Sequence, residues 1–181
     1  MTTLLIAALA GGVALYVWSA VCWMVLPHHL KDFDTLGDSE DGVASALAGV
    51  APGWYVMPHF KNFEQGIKDP ALDERNKAGP NGSIIVTPPG PCMRPVVFLR
   101  SFLMNLVQAY GAAALIILTG AYVESLLEKV LLLTSVSVLI QSMPSLMNWN
   151  WGQFPLRSQA SVIFDNTVGM AILAVVLHFV M

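Results

Sequence analysis

Charge is the scarcest resource in this chain: only 12% of its 181 residues are Asp, Glu, Lys or Arg, and the formal net charge is -3. No basic run occurs that could neutralise a phosphate backbone, so nucleic acid is excluded as a partner. Cysteine is nearly absent, with Cys22 and Cys92 alone. A bridge between them would need an oxidising compartment, and Cys22 lies about one helical turn too deep for it, so two buried free thiols are expected. No Lys or Arg precedes the first apolar run, and that run is longer than the apolar core of a secretory signal. The first run is therefore expected to be a retained helix.

What the chain has instead is apolar length. Hydrophobic residues make up 55% of it, and they fall into long runs rather than the periodic stripes of a soluble core. A span needs roughly 20 mostly apolar residues to cross about 30 Å of hydrocarbon. Residues 3–26, 95–122, 126–147 and 159–181 qualify. The expected fold is an all-α membrane protein with four transmembrane helices. Its parts are helix 1 at 1–26, a polar extramembrane loop at 27–94, and helices 2–4 at 95–181. In the first span Ala8 and Gly12 form a small-xxx-small pair that lets a second helix approach closely. Pro27 ends that helix, because it cannot continue the hydrogen-bond ladder.

The polar loop is expected to carry a small α/β structure. DSEDGVASALAGVAPG predicts a short helix capped by Asp38 or Ser39. WYVMP (54–58) and SIIVTP (83–88) are strand-like and bounded by Gly and Pro, so they are expected to pair as a two-stranded ribbon. Between them DPALDERNKAG predicts a compact helix, with Asp69 as cap, Pro70 at its first position and Gly79 just past its end.

Polar residues inside the spans raise the functional question. Counting from the loop-bearing face at about 1.5 Å per residue, Arg100, Gln141 and Asp165 all fall roughly 7–10 Å deep. The matched depth predicts an Arg100–Asp165 ion pair, with Gln141 filling leftover hydrogen-bond positions and Asn105 and Gln108 continuing the polar cluster inward. Such a seam can serve as a packing pin between helices. It can also bind an ion, a proton or a lipid headgroup, or the pairing can fail, with Arg100 snorkelling to lipid phosphate. Trp18 and Trp23 near the end of helix 1, and Trp149 and Trp151 after helix 3, are expected at the membrane interface.

His28, His29, His59 and Cys92 all lie toward the loop-bearing face, but their spacing matches no metal motif. No metal and no cofactor is therefore assigned. His178 is expected to be an interfacial histidine on the opposite face. At WMVLPHH, residues 23–29, the chain resembles uncharacterised bacterial membrane proteins that carry a W-x-V-L-P-x-H stretch where their first helix leaves the bilayer. His28 stands where an aromatic residue is expected. The resemblance covers the end of the first span and the general layout, implies a bacterial inner-membrane location, and carries over no catalytic residue. Lys31, Lys77, Arg94 and Arg157 against Lys129 place the loop on the cytoplasmic side.

With no recognisable reaction centre, the chain is expected to be a non-catalytic accessory or structural subunit of a larger bacterial membrane complex. Its expected partners are other integral membrane subunits or further copies of itself, together with membrane lipid. A small oligomeric transporter or channel using Arg100, Asp165 and Gln108 is the alternative. An enzyme acting on lipid or quinone, with His28, His29 or His59 as acid–base groups, is a third class.

Overall fold

The computed structural model describes residues 2–91 and 93–181. It divides into two units, Met1–Asp34 with Met93–Met181, and Thr35–Cys92. In chain order the first element is α1 (Thr2–Met24). Its ladder closes with the Leu26 amide reaching back to the Val21 carbonyl at 2.9 Å. Pro27 offers no N–H to continue it. His29–Lys31 then forms a tight 3₁₀ turn rather than an extended exit.

The loop unit holds α2 (Glu40–Ala46), β1 (Gly53–Met57), α3 (Phe63–Lys68), α4 (Pro70–Ala78) and β2 (Gly82–Val86). β1 and β2 pair antiparallel with Trp54 opposite Ile85 and Tyr55 opposite Ile84, which is the expected ribbon. α2 is shorter than expected, because Gly49 takes a left-handed conformation at φ 80. Neither expected cap operates there; the Ser39 side chain makes no capping bond, and Asp38 lies in a 3₁₀ turn ahead of it. Asp69 does cap α4, accepting from the Ala71 and Leu72 amides, with Pro70 at the first position. The Gln65 side chain, followed by those amides, holds the Asp69 carboxyl below the usual carboxylate range. α3 was not expected; Asn62 starts it by accepting from the Gln65 amide.

The remaining elements are α5 (Pro95–Thr119), α6 (Leu126–Val136), α7 (Ser142–Gly152) and α8 (Leu156–Val180). α6 begins with a capping box between Ser125 and Glu128. A π-helical turn, Ser137–Gln141, joins α6 to α7 as one long helix. Four helices are long and apolar enough to cross a membrane: Thr2–Met24, Pro95–Thr119, Leu126–Gly152 and Leu156–Val180. The protein is a multi-pass membrane protein with a two-stranded sheet between the first two spans.

Within this unit α1 packs along α5 and along α8, and α8 packs also against α6 and α7. The core mixes small residues (Ala7, Ala109, Ala113, Ala174) with Leu133, Leu173 and Leu177. Close helix approach explains the alanines. At Gly12 an added Cβ would meet the Leu106 backbone at 3.0 Å, so this member of the expected small pair lets α5 come close. At Gly11 the same addition would meet Leu173 Cδ1 at 2.5 Å, which lets α8 in from the other side.

Candidate functional site at the end of helix 1

Three short stretches build the site: the end of α1, the turn that follows it, and the middle of α8. Trp18 sends its indole N–H to the main-chain carbonyl of Asp165 at 2.9 Å, which fixes α1 and α8 at this level. Gly169, one turn further along α8, leaves room for that indole; a Cβ there would lie 3.1 Å from Trp18 Cδ1. The turn after Pro27 then folds both imidazoles back onto α8. His28 Nε2 lies 2.9 Å from Asp165 Oδ1 and His29 Nε2 lies 2.6 Å from Asp165 Oδ2. One carboxylate thus holds two rings.

A second carboxylate closes the chain. His29 Nδ1 lies 2.9 Å from Asp32 Oδ2, and Ser161 donates its hydroxyl to Asp32 Oδ1 at 3.0 Å. The spacing from His29 to Asp32 is one 3₁₀ turn, which brings both groups to the same side. The His29 ring stacks on Trp23, with centroids 3.9 Å apart and planes 7° from parallel. It is buried at 4% exposure, the Asp32 side chain at 3% and the Asp165 side chain at 14%. Cys22 is fully buried beside them, and its sulfur, a His28 ring nitrogen and an Asp165 oxygen all lie within 4.8 Å of one another.

Donor counting fixes the charge logic. A neutral imidazole has one N–H, and an ionised carboxylate only accepts. If Asp32 and Asp165 are both ionised, both nitrogens of His29 must donate, which makes that ring a cation. Two carboxylates against one imidazolium still leave an excess negative charge. It is balanced when His28 also carries a second proton, or when a bound cation takes that place.

A cavity of about 210 Å³ adjoins the cluster, lined by His29, Asn105, Gln108, Asp165 and Asn166 among others. Two members of the expected polar cluster, Asn105 and Gln108, line the same cavity as Asp165. Gln141 joins them, accepting from Gln108 Nε2 at 3.4 Å. Gln108 also contacts Met170 Sδ at 3.5 Å.

Arg100 corrects the expectation. It is exposed, and no ion pair joins it to Asp165. The physical reason is angular as well as positional. Eight residues of helix turn through about 80° beyond two full turns, so Arg100 does not share a face with Gln108; its neighbours along α5 are Met104 and Val107, which are exposed like it. α1 also packs against both α5 and α8, and the end of α1 supplies the partners of Asp165 instead. Depth counting treated His28 and His29 as surface residues. They lie instead at the level of Asp165, because α1 stops at Met24 and the next turn folds inward.

Trp18 and Trp23 belong to the site rather than only to an interface. Trp149 and Trp151 are exposed at 46% and 78%, near the end of α7. His178 Nδ1 lies 3.4 Å from the buried Lys129 Nζ, at the other end of the bundle. His59 belongs to the loop unit. Cys92 lies outside the described residues, and Cys22 is a buried free thiol. No family model matches the chain, and neither a curated protein nor a solved structure matches it.

Proposed function

We propose that this chain is a non-catalytic, multi-pass protein of the bacterial inner membrane that holds a small metal cation where α1, the turn after it and α8 meet. The observation that carries the proposal is the charge balance: among the described residues, the two carboxylates almost removed from solvent, Asp32 and Asp165, have only imidazoles as basic partners. Among the described residues no Lys or Arg pairs with either carboxylate. Buried charge costs several kcal/mol per ion unless it is compensated. A cation at this point compensates the carboxylates and leaves the rings free to act as neutral ligands. The loop is assigned to the cytoplasmic side on the distribution of Lys and Arg at the span ends.

The expected outcome is measured by thermal unfolding of the full chain in detergent, across Na⁺, K⁺, Mg²⁺, Ca²⁺, Mn²⁺ and Zn²⁺. At a hundredfold excess over Kd, a cation bound only by the folded state adds about 2.7 kcal/mol. At least one of these ions should raise the midpoint, and the gain should vanish in Asp165→Asn. If none of them shifts the midpoint, the reading is wrong.

A second reading, the accessory subunit, has its own support in the loop unit. Both faces of the β1–β2 ribbon carry apolar side chains, with Trp54 at 69% and Ile85 at 66% exposure. Two strands alone are marginal in water, and a covering partner would bury these side chains. The two readings are compatible, since a cation-binding chain can be one subunit of several.

A further inference from the structure

Resting on the cation reading above, we propose that the ion is a transition metal of the zinc type, ligated by Cys22 Sγ, His28 Nε2, His29 Nε2 and the Asp165 carboxylate. Four observations support the assignment.

The first is donor chemistry. Alkali and alkaline-earth cations are held by oxygen alone, whereas a site of one sulfur, two imidazoles and one carboxylate matches zinc and its late first-row neighbours. Cys22 has no place in an oxygen cage. It is nevertheless fully buried with its sulfur within 4.8 Å of a His28 ring nitrogen and an Asp165 oxygen.

The second is distance. Zinc sits about 2.0–2.3 Å from nitrogen, oxygen and sulfur donors, which sets neighbouring ligands of a tetrahedral site roughly 3.5 Å apart. The sulfur, nitrogen and oxygen of Cys22, His28 and Asp165 already lie within 4.8 Å of one another. His29 Nε2 starts from the opposite side of that ideal, 2.6 Å from Asp165 Oδ2. Cys22, His28 and Asp165 form the core of the site, and His29 Nε2, already against Asp165 Oδ2, is the fourth donor of the proposal. The Cys22 proton leaves to solvent as the ion enters, since the thiolate is the ligand.

The third is the outer contact. A metal-bound histidine commonly donates its far ring N–H to a carboxylate, which fixes the tautomer and aims the near nitrogen at the ion. His29 has this arrangement, with Nδ1 at Asp32 and Nε2 at Asp165, and Asp32 is itself held by Ser161. The stacked Trp23 ring restrains the same imidazole from the side.

The fourth is access. The adjoining cavity of about 210 Å³ touches both His29 and Asp165. It leaves room for a non-protein ligand on the His29 and Asp165 side of the site.

The test uses the full chain in detergent, stripped with a chelator and titrated with Zn²⁺ against a chromophoric competitor, and with Co²⁺ as an optical probe. One Zn²⁺ per chain is expected, and Co²⁺ should show a thiolate-to-cobalt charge-transfer band. Cys22→Ser should abolish that band and weaken Zn²⁺ by at least about tenfold. Asp32→Asn should weaken Zn²⁺ about 10–100-fold through loss of the outer contact. His28→Asn tests the ligand set at the more exposed ring, should Asp165 variants fail to fold. Chain stabilised by Mg²⁺, Ca²⁺ or Na⁺ but binding no stoichiometric Zn²⁺ or Co²⁺ would overturn the transition-metal assignment and leave the cation reading standing. Chain indifferent to every ion would overturn both. Zn²⁺ bound equally by Cys22→Ser and His28→Asn would also overturn the assignment, by placing the metal elsewhere.

Discussion

Both oxygens of Asp165 are engaged by imidazoles, while Arg100, the cation nearest to it in depth by residue count, is exposed on another face of α5. The two residues should therefore respond differently to mutation. Asp165→Ala removes the acceptor for two rings and strands the His29 and Asp32 pair; its cost should approach the roughly 3–5 kcal/mol seen when one member of a buried pair is deleted. Arg100→Met should stay within about 0.5 kcal/mol, as exposed substitutions do. Midpoints of thermal unfolding in detergent measure both, and an Arg100→Met loss as large as that of Asp165→Ala would restore the discarded ion pair. At this scale the sequence marked Asp165 as the residue needing a partner, because charge inside an apolar run is costly. It did not show which partner. Depth can be counted along a helix, but the face of α5 that meets α1, and the inward fold of the turn after Pro27, depend on packing between segments far apart in the chain. The visible signals were Pro27–His28–His29 at a helix end and Asp32 one turn later.

Helices are legible where the physics is local. Four spans follow from apolar length, α4 follows from Asp69, Pro70 and Gly79, and the ribbon follows from two β-rich runs bounded by Gly and Pro. The misses have local causes too. α3 starts from Asn62 within a segment read as loop, and α2 stops at a left-handed Gly49 rather than running on to Pro52. The π-helical turn Ser137–Gln141 leaves no composition signal, since it adds one residue to a turn without altering the apolar pattern. It buries the Ser137 hydroxyl with no hydrogen-bond partner among the described residues and turns Gln141 toward Gln108. The small residues of α1 carry a prediction at this level. Gly12→Val places carbon against the Leu106 backbone, which cannot move aside as a side-chain tip can. It should cost at least about 1–3 kcal/mol, the range for overpacking, whereas Gly111→Ala, with open space around it, should be close to neutral. Comparable losses in both variants, read from unfolding midpoints, would show that α1 and α5 do not meet as described.

At the scale of the whole molecule the two units differ in kind. The membrane unit has a continuous core running from Ala7 to Leu177, whereas in the loop unit Leu72 is the buried hydrophobic residue among those described. A chain with this division should leave the membrane together with a second polypeptide when extracted gently at native expression. Trp54→Ser with Ile85→Ser should release that companion without unfolding the spans. Recovery of the unmodified chain alone, in a particle of single-subunit size, would remove the subunit reading. The division into spans and loop was legible because it follows from composition alone; what the loop unit meets was not, since nothing in one chain encodes the shape of another. One further consequence follows from the distance between Trp18–Asp32 and Ser161–Asp165 along the chain. During synthesis the first helix and its two histidines are made long before the last helix has been translated, so until then neither ring has Asp165 as its partner. Chains halted before the last helix can never acquire the site: His28 then lacks its carboxylate, while His29 keeps only Asp32.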